Sequence, residues 1–167
     1  MEVSEIIKRM IDFSKGNLHD INHFMKVYAF ARLIGECELL DNNTQKILEV
    51  SAILHDIACP LCREKYGNTN GKYQEAEGGP LAKKFLKDTG LLEDFIERVA
   101  YLISHHHTFE NVDGLDYQIL LEADYLVNAD ESKYSKENIE RFMKKVFKTK
   151  TGIRLLKSMY LSPVVNN

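Results

Sequence analysis

Residues Val50-Ser51-Ala52-Ile53-Leu54 are apolar on every side of a helix, and the run ends in His55-Asp56. A helix that is apolar all round has no solvent face and belongs at the centre of a fold. The carboxylate that closes it is then carried inward, where an ionised group costs several kcal/mol or more unless something pairs with it. The helix C-terminus does not offset that cost, because it suits a cationic histidine but sets an aspartate against the negative end of the dipole. The same pattern returns elsewhere. His23 lies on an apolar helical stripe, Asp124 lies within Ile119–Val127, and His105-His106-His107 follow an apolar segment. Two carboxylates and several histidines carried into one small interior point to a shared partner, and a divalent metal ion is the simplest one.

Apolar residues recur at three-to-four spacing and no useful β-alternation occurs, which predicts an all-α fold. A first helix spans residues 4–13, with Ile6, Ile7, Met10, Ile11 and Phe13 apolar, and Gly16-Asn17 breaks it. Asn17 caps a second helix, with Asp20 three residues on. His23, Val27, Phe30, Ala31 and Ile34 form its inward stripe, and His19, one turn earlier and nearer solvent, is the alternative to His23. A third helix runs from about Thr44 to Ile57. Residues 59–73, with Pro60, Gly67, Asn68, Asn70 and Gly71, read as a long loop. Helices near 74–88, 91–106 and 115–128 follow, and two more near 135–148 and 151–160 close the chain. Pro163-Val164-Val165-Asn166-Asn167 reads as a loose tail. One of Glu122 and Asp124 must point inward, and at about 200° apart they cannot serve one site equally. His105, His106 and His107 diverge by about 100° each, so one or two of them can reach a common point.

A chain of 167 residues suits one domain with a real core. A net charge of −3 and a pI near 6.1 give no global basic field for nucleic acid. The longest apolar run is too short to span a bilayer, and the acidic N-terminus is not a secretory signal. Three cysteines, an odd number, argue against a disulfide framework and for a cytoplasmic location. Cys59-Pro60-Leu61-Cys62 has CxxC spacing but neither a second ligand pair nor a βαβ context, so it reads as a helix-ending turn. Lys144-Lys145 with Lys148 and Lys150 reads as a solvated face.

His23, His55-Asp56 and Asp124, in that order on an all-helical chain, resemble the H…HD…D pattern of the HD superfamily of metal-dependent phosphohydrolases. The resemblance covers about residues 18–130. It is carried by Ala52-Ile53-Leu54-His55-Asp56-Ile57, by Glu122-Ala123-Asp124-Tyr125-Leu126, and by His23 with Val27 and Ala31. It implies one HD domain over 1–167, a bundle of about six to eight helices around a buried metal, with helices 135–160 packed on the metal-binding core. It implies one divalent ion (Mn, Fe, Co, Ni or Zn) held by His23, His55, Asp56 and Asp124. The implied chemistry is attack of activated water on phosphorus. Asp56 would orient or deprotonate the water, and His105 or His106 would stabilise phosphoryl charge or protonate the leaving oxygen. Lys26, Arg63, Lys65 and Lys72 are the candidate phosphate contacts, the last three within 59–73; Glu75 is a further candidate on the substrate side, and Glu75 or Glu77 could serve acid–base work or a second ion.

The departures are informative. Two-metal members open the helix after the doublet with a histidine, where this chain has Gln74, so one metal is expected. Many members carry arginine three residues after the first histidine; here Lys26 can hold phosphate only as a point charge. Asp113-Gly114-Leu115-Asp116-Tyr117 does not match the GYP signature of cyclic-di-GMP hydrolases. Gly71-Lys72-Tyr73-Gln74-Glu75 and His105-His106-His107-Thr108 are similar to segments of small bacterial HD proteins of unassigned substrate. The expected function is therefore hydrolysis of a small phosphorylated metabolite, foremost a nucleotide. The alternatives are a non-enzymatic nucleotide-sensing module and an iron oxygenase of the same fold. No membrane or nucleic-acid partner is expected, and a homodimer is left open.

Overall fold

A computed structural model describes residues 1–162, so the 163–167 tail lies outside the described residues. Within them the chain forms α1 (Val3–Phe13), α2 (Leu18–Cys37), α3 (Asn42–Leu54), α4 (Cys59–Tyr66), α5 (Gly71–Leu86), α6 (Glu93–Ile103), α7 (Leu115–Glu131), α8 (Lys136–Val146), α9 (Lys150–Leu156) and a π-helical turn (Lys157–Leu161). No strand occurs among the described residues, as the three-to-four apolar spacing requires. No described helix is long and apolar enough to cross a membrane.

The centre of the bundle is α3, packed against α1, α2, α6 and α7, with α2 also laid along α7. Every residue of α3 from Ile47 to Leu54 is buried, which is the structural counterpart of a helix with no polar face. Asn17 caps α2 by accepting from the Asp20 backbone N–H, and its amide donates to the Asp20 carboxylate at 2.9 Å. Asp41 caps α3 by accepting from the backbone of Asn43 and Thr44. On the far side α5 packs on α6. A Cβ on Gly79 would drive into the Ser104 hydroxyl and stand 3.2 Å from the Ala100 carbonyl, so this crossing needs glycine.

Two local expectations change. The 59–73 segment is not a long loop. Cys59–Tyr66 is helical, with Pro60 in its first turn where no intrahelical N–H is required, and Gly67 ends it in the left-handed conformation at φ 70°. Only residues 67–70 separate it from α5. The helix delivering the histidine run stops at Ile103 with Ser104 as its cap, so His105-His106-His107 lie on a turn.

Candidate metal centre

Four segments far apart in sequence converge where α3 ends. His23 comes from the second turn of α2, His55 and Asp56 from the chain leaving α3, Asp124 from the middle of α7, and His106 and His107 from the turn after α6. His23 Nε2 and His55 Nε2 stand 3.1 Å apart. Asp56 Oδ2 is 3.5 Å from the first and 3.6 Å from the second. Asp124 Oδ1 is 3.3 Å and 3.5 Å from the same two nitrogens. His55 is 1% exposed and Asp124 8%, whereas 27% of the Asp56 side chain remains open. A small molecule can therefore approach the cluster at Asp56.

The partners on the outer edge of each ring fix which nitrogen faces inward. His23 Nδ1 donates to Glu131 Oε2 at 2.8 Å, and His55 Nδ1 donates to the Ala52 carbonyl at 2.8 Å. The two Nε2 atoms are therefore the ones that meet, and with both rings neutral their lone pairs face one another, an arrangement that a cation satisfies and the two rings cannot satisfy between themselves. Ligand bonds of about 2.1 Å set adjacent donors about 3.0 Å apart at a right angle and about 3.4 Å apart at a tetrahedral one. The observed spacings of 3.1–3.6 Å run from within that range to about 0.2 Å above it, so this donor set fits a divalent cation.

A second group abuts the first. His106 Nδ1 donates to the Ile103 carbonyl at 2.7 Å. Its Nε2 faces Asp56 Oδ1 at 3.6 Å and is buried without a hydrogen-bond partner among the described residues, as is His107 Nε2. Asp56, His106 and His107 each bring a ligand atom within 4.8 Å of the others, as do His23, His55 and Asp56. Asp56 is thus common to two donor groups. Gln74 lines the adjoining cavity, donates to the Thr69 carbonyl at 2.8 Å, and leaves its Oε1 buried without a partner among the described residues.

The electrostatics follow from this crowding. Burial disfavours the imidazolium of His23, but the carboxylates of Asp124, Asp56 and Glu131 outweigh it and hold its pKa up at about 9. Burial works against the Asp56 carboxylate, yet His55, His106 and His23 keep it below the usual range. His23 and His55 do the same for Asp124 against its own burial. Burial also opposes charge on His106, and Asp56 and Asp124 reverse it and raise its pKa. Burial and the neighbouring His106 push His107 down to about 4. The cluster concentrates two carboxylates that stay ionised.

The predicted substrate residues are placed less uniformly. Arg63 lines a cavity of about 220 Å³ together with Asp20, His23, Asp56 and Asp124, and its guanidinium is held bidentately on Asp20 at 2.6 and 2.8 Å. Lys65 is taken by Glu77 at 2.6 Å, and neither it nor the exposed Lys72 lines this cavity. Lys26 bonds Glu131 Oε1 at 3.1 Å, so it supports the residue that orients His23 and does not line the cavity. Glu75 accepts from the His107 backbone N–H at 3.0 Å and the Thr108 hydroxyl at 2.9 Å, which clamps the histidine turn. A Cβ on Gly71 would stand 2.7 Å from the His107 ring, so the start of α5 also needs glycine to seat that turn. His105 departs most from expectation. Its Nδ1 donates to the Tyr101 carbonyl at 2.7 Å, and the residue lines a separate surface cavity with Gly79, Pro80 and Lys83. His19 is 76% exposed at its side chain and lies outside the cluster of donors. Glu122 does not compete with Asp124: both are buried, on different sides of α7.

Sequence reasoning missed two residues: Glu131 orients His23, and Asn128 donates to Asp124 Oδ1 at 2.8 Å. His107, one of three histidines the sequence left open, joins the second donor group. Asn128 and Glu131 fall four and seven residues after Asp124, the spacing of one helix face. That signal was present in the sequence.

The HD domain family model matches residues 20–135, a span that includes every residue of both donor groups. No curated protein matches the chain. Among solved structures, the chain is similar to the crystal structure of a predicted HD superfamily hydrolase from an uncultured Thermotogales bacterium. The two share 25% identity with a TM-score of 0.69, over 95% of this chain and 84% of that one.

Proposed function

The chain belongs to the HD domain family, and from that premise we propose that it is a phosphohydrolase of small phosphorylated metabolites, foremost nucleotides. The observation that carries this reading is the convergence of His23, His55, Asp56 and Asp124, with donor atoms of neighbouring residues 3.1–3.6 Å apart beside a cavity that admits solvent at Asp56. These four residues would hold one divalent cation, which when bound supplies the positive charge that acidifies water and polarises a phosphoryl oxygen.

The chain's own residues supply the rest. Asp56 stays ionised and partly open, so it can accept a hydrogen bond from an attacking water and fix its direction. His106 is buried against Asp56 with its Nδ1 already donating to the Ile103 carbonyl, so a proton on Nε2 is directed at Asp56 Oδ1, where it would steady the carboxylate that meets the water. Arg63, preset by Asp20, is the one of the four candidate phosphate contacts Lys26, Arg63, Lys65 and Lys72 that lines the cavity.

The test is phosphate release from a panel of nucleotides and sugar phosphates with Mn²⁺, Co²⁺ or Ni²⁺, run beside Asp56→Ala. Release that falls at least about a hundredfold in the variant supports the reading. No release from any compound, by folded protein that still holds metal, overturns it. One observation favours a second reading, an oxygenase carrying two irons: Asp56 is shared with the His106 and His107 group. Iron content near two per chain with oxygen-dependent turnover would select it.

A further inference from the structure

We propose that the cavity between α7 and α8, beside the metal centre, is the subsite for a planar nucleobase-like heterocycle borne by the substrate. This assignment rests on the phosphohydrolase reading of the adjoining cluster. The cavity measures about 400 Å³, within the range of small-molecule sites. It shares His107, Asp124 and Asn128 with the polar cavity that holds Asp56 and Arg63. A substrate whose phosphate meets the cluster therefore has this second space within reach of its other end.

The walls are aromatic and come from separate segments. Phe109 stands on the turn after α6, Tyr125 on α7, Tyr134 between α7 and α8, and Phe142 on α8. Tyr125 stacks on Phe142 at 3.7 Å and 3°, and Phe109 meets Phe142 edge-on at 5.1 Å. Phe142 and Tyr125 are thereby braced, whereas Phe109 and Tyr134 keep 42% and 38% of their surface exposed. Exposed rings gathered around one concavity offer stacking surface to a flat, electron-rich ligand.

Two amides set the polarity of the slot. Asn138 Oδ1 accepts from the Tyr125 hydroxyl at 2.7 Å, which leaves its Nδ2 as a donor without a partner among the described residues. Asn128 Nδ2 donates to Asp124, which leaves its Oδ1 as an acceptor without one. A ring that both stacks and exchanges a donor and an acceptor along its edge is a nucleobase or its close equivalent. A glycerol moiety has no flat face and would leave the aromatic walls unused.

The experiment measures KM for adenosine 5′-monophosphate, uridine 5′-monophosphate and glycerol 3-phosphate in the wild type and in Phe109→Ala, Phe109→Tyr and Tyr134→Ala. Both positions are exposed, so their loss does not open the core. Loss of one stacking partner should raise KM for the nucleotides about tenfold, leave glycerol phosphate within about twofold, and be restored in Phe109→Tyr. Equal change for all three substrates, or no change for any, overturns the assignment. If the wild type releases phosphate from none of the three, the hydrolase reading is judged separately on the wider panel, and equilibrium dialysis with adenosine and uridine decides the subsite. Retention that drops in Phe109→Ala and returns in Phe109→Tyr supports it, while absent or unaltered retention overturns it.

Discussion

His23 is fixed by the proton it gives away. Its Nδ1–H is held by Glu131, itself held by Lys26, so Nε2 is the nitrogen aimed at the cluster. A carboxylate behind a histidine ligand sets its tautomer and raises its basicity, and removing one typically weakens metal binding about 10–100-fold. Glu131→Ala should therefore lower Mn²⁺ or Co²⁺ affinity by that factor in a calorimetric titration. Glu131→Gln, which can still accept the Nδ1 proton, should lose less. Unchanged affinity in Glu131→Ala would mean that packing alone orients the ring. At this scale the order His23, His55-Asp56, Asp124 made the central four legible, because each lay on an apolar face that folding had to bury. The choice among the three consecutive histidines was not legible. Helical geometry separates them by about 100°, but the helix ends at Ile103 and the turn sends His105 outward to Tyr101 while His106 and His107 turn inward.

Helix ends explain most of what differed between elements. Pro60 and two cysteines read as a break, yet a proline in a first turn costs no hydrogen bond, and the seating of Arg63 on Asp20 then ties α4 to α2. The cationic segment that read as a long loop is instead mostly a short helix with two of its cations paired. Glu122 shows a second limit of periodicity. It is fully buried, yet it accepts from Gln118 Nε2 at 2.8 Å, Lys148 N–H at 2.7 Å, Thr149 N–H at 3.0 Å and the Thr149 hydroxyl at 2.5 Å. A carboxylate so satisfied needs no cation, which no one-dimensional pattern reveals. Glu122→Ala would strand the Lys148 and Thr149 donors between α8 and α9 and should destabilise the fold by about 3 kcal/mol or more, measured by urea unfolding. A loss below about 1 kcal/mol would show that water replaces the carboxylate.

The same junction carries a pH dependence through Glu38 at the end of α2. Its Oε1 accepts the Thr151 backbone N–H at 2.8 Å in the first turn of α9, and that bond lowers its pKa below the ordinary 4.5. A carboxyl depressed on folding contributes stability that is complete above its unfolded value and is lost as pH falls through the folded one. Wild-type stability should thus decline below about pH 4.5 more steeply than that of Glu38→Gln. Thermal unfolding at about pH 6 and about pH 3.5 would compare them, and parallel curves would remove Glu38 from the acid response.

For the whole molecule, the question is whether the metal holds the fold or only uses it. The donors come from α2, the end of α3, the turn after α6 and α7, so a bound ion would cross-link the centre of the bundle. Those same helices already share an apolar core of Phe24, Val27, Ile34, Leu48, Ile53, Leu54, Leu102, Leu120 and Leu126, all at most 1% exposed. A small structural-metal domain lacks such a core and unfolds when stripped. This one should stay helical after chelation, with the metal adding stability by mass action. At a free metal concentration of about 100 times Kd that addition is about 2.7 kcal/mol, or a rise in Tm on the order of 5–10 °C for a chain of this size. Circular dichroism melts of chelated and Mn²⁺-loaded protein would show it, with Asp124→Asn as the variant in which the shift shrinks. Loss of helical signal on chelation at room temperature would instead make the ion a part of the fold. The catalytic reading of Asp56 would then require a substrate-dependent signal that survives in metal-loaded protein alone.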